Sequence, residues 1–358
     1  MAHTNYEQYL KYVGGVRFWI ITTGVIVAFV AMKEASHIVN MILLAALLTV
    51  ISLAPLSWLK KKGVNKTLAN IIVILSVVAV IGLIGLIIGS SISSFSERMP
   101  VYNAKFQELW ASVINSLVDS GLINEQSGLL KSLASEKLLP MAAPIATGVG
   151  SIFSRAVLVF MFFIFMVLES EQFAKKMSYI SSKSSGNADK VIKQLRNYFG
   201  IKTLTSMATG IVISLSLYFI GVEFFILWGF LAFVLNFIPS IGSLVAAIPA
   251  VLIAFVMHGT VAGIETVIVY LVFNTIIGNV IEPQLMGKNL GISPLIVFFS
   301  MIFFGFLLGP VGMLIATPLT ILVKIIFDSR EVTRNLGIML GDGREIEVEK
   351  EKNDIRAL

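Results

Sequence analysis

A chain of 358 residues with 56% hydrophobic and only 13% charged side chains lacks the surface of a water-soluble domain, which is about one-quarter charged. Its mean hydropathy of +0.89 leaves an exterior that lipid, not water, must cover. The absence of cysteine excludes disulfides, thiolate metal sites and a cysteine nucleophile, and the net charge of +6 sits in blocks between apolar runs, without the interleaved aromatics of a nucleic-acid surface.

In chain order, the polar segment 1–15 mixes acidic and basic residues and does not read as a signal peptide. Apolar runs follow at 16–32, 38–59, 67–92, 149–169, 201–221, 224–257, 261–280 and 293–327. A crossing needs about 20 apolar residues, so six of these runs fit one span each. The runs 224–257 and 293–327 are too long for one crossing and short for two. Each is broken near its middle, by N-F-I-P-S-I-G at 236–242 and by L-L-G-P-V-G at 307–312. Proline removes a backbone donor and blocks helix continuation, which predicts helical hairpins, either re-entrant or made of two short tilted helices. The fold class is therefore all-α: a polytopic transmembrane protein with about six full spans and two broken hairpins.

Lysine and arginine set the orientation. Lys60, Lys61, Lys62 and Lys66 follow the second span, and Lys175, Lys176, Lys183, Lys190, Lys193, Arg196 and Lys202 follow the fourth. The tail from Lys324 is also basic, whereas 93–148 carries four Lys and Arg against five acids. All basic blocks share one side if both termini are cytoplasmic, in a multi-pass protein of the cell membrane. Within 93–148, Val101, Leu109, Trp110, Val113, Leu117 and Val118 recur at helical spacing. This predicts an amphipathic helix on the outer leaflet, on a neighbouring subunit, or packed as a cap on its own protein. The chain divides into 1–92, N-terminal helices; 93–148, the external element; 149–200, the fourth span and basic loop; 201–327, a core; and 328–358, a mobile cytoplasmic tail.

The two broken runs resemble each other. Pro239 through Gly242 to Pro249 reads P-S-I-G-S-L-V-A-A-I-P, and Pro310 through Gly312 to Pro318 reads P-V-G-M-L-I-A-T-P. Each follows a full span, and by the topology above the two span-plus-hairpin units insert in opposite directions, the inverted arrangement of many secondary transporters. Hairpin tips at Pro239, Gly242, Gly309, Pro310 and Gly312 would free backbone groups that cannot face lipid and must line protein or a watery cavity. Candidate solute or ion ligands are Asn236 beside the first tip, and Asn274, Asn279 and Glu282. On an α-helix Asn274, Gly278 and Glu282 share one face. That stripe reads either as an ion path or, for Glu282, as an interfacial carboxylate pairing with Lys288. Asn236 either binds solute or bonds freed carbonyls. Glu223 and Glu265 read as outer-edge residues. No P-loop, H-E-x-x-H or G-x-S-x-G occurs, so neither enzyme chemistry nor ATP drive is implied, and no cofactor or metal is expected.

The segments F-V-L-N-F-I-P-S-I-G-S-L-V-A-A-I-P, I-E-P-Q-L-M-G-K-N-L-G-I-S-P and F-F-G-F-L-L-G-P-V-G-M-L-I-A-T-P resemble the autoinducer-2 exporter family, also called PerM-type permeases. The hallmark segment is matched by Glu282, Pro283, Gly287, Leu290, Gly291, Ile292 and Pro294. The resemblance covers nearly the whole chain and is specific in the C-terminal half. It implies a multi-span transporter, assembled as a homo-oligomer (a pentamer), that exports a small furanosyl signal; some relatives look like sodium or lithium/proton antiporters. Three functions follow as expectations: gradient-driven export of a small polar solute around the hairpins, cation/proton antiport through Glu282, or a non-transporting membrane scaffold or sensor.

Overall fold

The computed structural model describes residues 19–120, 156–183, 187–239, 241–286, 291–329 and 331–343. These are helical throughout, with no strand among them, and six of the helices are long and apolar enough to cross a membrane. α1 (19–34) and α2 (Ser36–Lys61) lead into α3 (Lys66–Asp119), whose first turn is capped by the Asn65 side chain accepting from the Thr67 N–H at 3.2 Å. After the gap come α4 (Ala156–Lys183), α5 (Asn187–Ile220), the short α6 (Phe225–Leu235) and α7 (Gly242–Asn274). A π-helical stretch, Thr275–Ile281, joins α7 to α8 (Glu282–Met286), and α9 (Pro294–Asp328) and α10 (Arg334–Leu340) complete the chain.

Three features of this architecture depart from the reading of the sequence. α3 runs through position 92 and through Pro100 without interruption for 54 residues, about 80 Å. The amphipathic stretch is therefore, as far as Asp119, the rigid continuation of a span rather than a separate helix laid along the bilayer. Tyr102 is buried and Phe106 and Trp110 stack at 6.1 Å, while Val101, Leu109 and Val113 face outward. Residues 121–148 of that element lie outside the described residues. The tail also differs. Beyond 328 the chain forms a 3-10 turn at Glu331–Thr333 and then α10, which docks back on the protein. The Ser293 N–H donates to the Leu340 carbonyl at 3.1 Å, and Gly337 packs so closely on Asp328 that an added methyl would lie 1.9 Å from its carboxylate.

The broken runs themselves reverse, as their helix breakers implied. α6 is 11 residues long, about 16 Å, half the hydrocarbon thickness; it packs back against α5 as a descending limb. The tip, 236–241, returns into α7, which itself breaks at Gly259 (φ 85°, ψ −174°). α9 breaks likewise at Gly309 (φ 66°, ψ −151°), backbone that only glycine adopts readily. The second break is a true reversal: a methyl on Gly312 would sit 2.0 Å from the Phe304 carbonyl oxygen eight residues earlier. At the first tip, a methyl on Gly242 would sit 1.7 Å from the Leu235 carbonyl oxygen. Pro249 and Pro318 are buried in the returning limbs. The two glycines aligned by the internal repeat thus hold the same position, at the closest approach of paired limbs. Finally, the helix before Glu282 is π rather than α. The Pro283 ring clashes with the carbonyl four residues back, and a widened turn relieves that clash.

At one end of the bundle Glu171 of α4 pairs with Lys60 and with Lys66 (2.6 Å), tying α4 to the α2–α3 loop. All three side chains are part-exposed, and pairs of this kind contribute at most about 1 kcal/mol. Glu171→Gln is therefore expected to lower unfolding stability by less than about 1 kcal/mol, an effect that shrinks further in high salt; thermal unfolding in detergent at two salt concentrations measures it.

A candidate polar site beneath the first hairpin

α5 enters the bundle with a stripe of polar residues on one face: Lys202, Thr205, Ser206 and Thr209, at spacings of three and four and all at most 5% exposed. Such spacing places them on one side of a helix. That side faces the interior because the remaining faces of α5 carry Leu204, Met207, Ile211 and Leu215, which are exposed. At the near end of the stripe the Lys202 ammonium donates to both carboxylate oxygens of Glu282, at 2.6 and 2.8 Å, and Thr205 Oγ1 donates to Glu282 at 3.3 Å. The two charged side chains are 6% and 14% exposed. A charge pair removed from water is stable only with close geometry and supporting hydrogen bonds, and this pair has both. Tyr198 beside it belongs to a buried apolar cluster with Phe199, Ile292, Ile321 and Ile325, with Met286 packed against it.

One residue further along α5, Ser206 accepts a hydrogen bond from Asn236 Nδ2 at 3.0 Å. Thr205 and Ser206 are neighbours in sequence, so consecutive residues of α5 hold two sequence candidates, Glu282 and Asn236. Asn236 belongs to the first tip, where Ile238 is buried against Met301 and Ala316 of the second hairpin, with Phe304 and Met313 packed beside them. The first tip therefore packs against the limbs of the second hairpin, and the described contact is made of apolar side chains. The backbone carbonyl freed at the second tip, that of Leu308, accepts from Asn40 Nδ2 of α2 at 2.9 Å, which meets the requirement that no main-chain acceptor be left bare in the bilayer.

The other candidates are less central. Asn274 is half-buried on the same side as Gly278 and Glu282, whereas Asn279 is exposed; Gly287 and Lys288 lie outside the described residues. Gly291 takes a left-handed φ of 56°, and Pro294 occupies the first turn of α9, the helix position that tolerates proline best. Glu223 sits at the α5–α6 turn, held by Arg98 (2.6 Å) and Tyr102 (2.5 Å) of α3. The sequence reading missed Lys202, which it counted with the basic loop, as well as Thr205, Ser206 and Asn40. The signal was present as K-x-x-T-S-x-x-T at the start of an apolar run. Among the described residues no cluster of three or more His, Asp or Glu forms a metal site.

Six helices long and apolar enough to cross a membrane, two helical reversals and a buried ion pair make this a polytopic α-helical membrane protein. The chain belongs to the AI-2E transporter family, whose family model, described as AI-2E family transporter, matches residues 18–331. It is 29% identical over 334 residues to YhhT of Escherichia coli (strain K12), covering 92% of this chain and 95% of that one. It is 29% identical over 331 residues to the AI-2 transport protein TqsA of the same organism, with coverage of 92% and 96%. A Haemophilus influenzae protein is 30% identical over 328 residues, with coverage of 89% and 94%.

Proposed function

We propose that this chain is a gradient-driven secondary transporter that exports a small polar solute by alternating access around its two hairpins. The observation that carries the reading is the polar group built on Thr205 and Ser206. It links a buried ion pair on the α7–α8 side to a tip residue, Asn236, of the hairpin that touches the other hairpin. Polar groups beside broken helices whose hairpins pack on each other are parts that alternating access uses. The name of the relative TqsA supports autoinducer-2 as the solute. The distribution of Lys and Arg supports a multi-pass chain of the cell membrane with both termini cytoplasmic. We also assign it a homo-oligomeric state, on the resemblance noted above. Vesicles containing the purified chain are expected to move autoinducer-2 faster than empty vesicles; equal rates overturn the reading.

A second reading, sodium or lithium/proton antiport, is favoured by the Glu282–Lys202 pair, because a buried carboxylate with one cationic partner is a group for which protons and metal cations compete. Sodium-dependent proton movement that disappears in Glu282→Gln supports antiport. Autoinducer-2 flux that survives the same substitution supports export without ion coupling at this carboxylate.

A further inference from the structure

At the opposite end of the bundle from the Lys202–Glu282 pair, the α5–α6 turn and α3 enclose a cleft of about 550 Å³ lined by Ser94, Arg98, Tyr218, Glu223, Phe224 and Phe225 among others. We propose that this cleft is a binding site for a small uncharged ring bearing neighbouring hydroxyls. Its role as the outer station of export rests on the transport reading above; its capacity to bind does not.

The walls are aromatic. Tyr218 and Phe225 meet edge to face at 5.1 Å, and Phe224 is fixed from behind by Phe95 at 5.8 Å. Phe224 is the one non-glycine residue with positive φ among the described residues (57°). A bulky side chain in the left-handed region costs about 1–3 kcal/mol and persists only where the surroundings over-determine it, which recurs at ligand sites. Here the over-determination is visible. The Glu223 carbonyl accepts from the buried Trp228 indole N–H at 2.9 Å, and the Glu223 carboxylate is gripped by Arg98 and Tyr102.

The polar part of the cleft is a carboxylate beside a guanidinium. Arg98 spends one N–H on Glu223, and its side chain is 57% exposed, leaving donors to face the cleft. Together the two charges cancel, so the site has no net attraction for an anion or a cation. A pair of adjacent hydroxyls complements it, since each hydroxyl both donates and accepts: one accepts from Arg98 while the other donates to Glu223. The aromatic walls suit the apolar faces of such a ring. Ser94 and the Tyr218 hydroxyl add two neutral partners of the same kind.

Trp228 is a built-in reporter because its N–H is bonded to the residue that binds. In the full chain carrying Trp19→Phe, Trp58→Phe and Trp110→Phe, methyl β-D-ribofuranoside is expected to change Trp228 fluorescence saturably. Arg98→Met and Tyr218→Phe in that background should each raise the half-saturation concentration, the former by about tenfold. Tyr218→Phe removes only a hydroxyl and leaves the ion pair, the backbone bond to Gly221 and the ring contact with Phe225 in place, so it keeps the test interpretable if Arg98→Met misfolds. A fluorescence response that does not saturate, that is unchanged in both variants, or that is matched by glutamate or putrescine overturns the site. Binding without flux sinks the transport reading alone; flux of the solute with a silent Trp228 sinks the cleft alone.

Discussion

Replacing Lys202 with methionine is expected to destabilise the folded chain by about 3–5 kcal/mol, the largest effect of any single side-chain truncation considered. The reason is what remains. Glu282 receives its described hydrogen bonds from Lys202 and Thr205, and with the ammonium gone a buried carboxylate has one neutral donor at 3.3 Å. The substitution leaves the apolar contacts of the aliphatic stem largely in place, so the loss reports charge rather than packing. Pairing it with Glu282→Leu removes both charges. Replacing a whole buried pair with apolar groups is often neutral, so the double variant should recover most of the lost stability, and its flux then tells whether the pair is used in transport. Thermal unfolding of the purified protein in detergent measures the first part, and vesicle flux the second. A single variant as stable as the parent would mean that Glu282 reaches water and that the pair is not buried.

What the sequence made legible follows from how local each signal is. The spans are runs of apolar residues and need no partner to be recognised. The hairpins were legible because Pro239 and Pro310 stand beside glycines in the middle of apolar runs too long for one crossing. The repeat led to Gly242 and Gly312, which the structure shows in equivalent places. Pairings between distant residues were not legible. Lys202 stands at the edge of a basic loop, and its position in sequence says charge and topology; only the packing of α5 on α8 turns it inward to Glu282. Asn40 lies 268 residues from the carbonyl it satisfies. The end of the apolar run at 92 suggested a boundary, yet α3 continues through it and through Pro100, because Phe95 and Tyr102 pack on Trp228 and the α5–α6 turn and tertiary burial outweighs one missing backbone donor.

A methyl group at Gly312 is expected to disrupt the second hairpin, and one at Gly242 the first, by a comparable amount. The obstacles are the carbonyl oxygens of Phe304 and Leu235, 2.0 and 1.7 Å from the added carbon. A backbone carbonyl in a helix cannot swing aside as a side-chain end can, so the paired limbs must move apart by more than about 1 Å through a close-packed interface. Overpacking of this kind costs about 1–3 kcal/mol where neighbours can yield, and more where the neighbour is main chain. Gly278→Ala is the contrast. It has open space around it and no left-handed φ, and alanine favours a helix over glycine by about 0.5–1 kcal/mol, so its stability should hold or rise slightly. Unfolding midpoints of the three variants decide the matter. If Gly242→Ala and Gly312→Ala unfold with the parent, the limbs are not in contact there, and the tight reversals at the two glycines are not the arrangement the chain adopts. If both fall while Gly278→Ala does not, the tight reversals are carried by the two glycines that the internal repeat aligns. The hinge between limbs then sits at the same place in both halves of the core, as opposed rocking of two equivalent units requires.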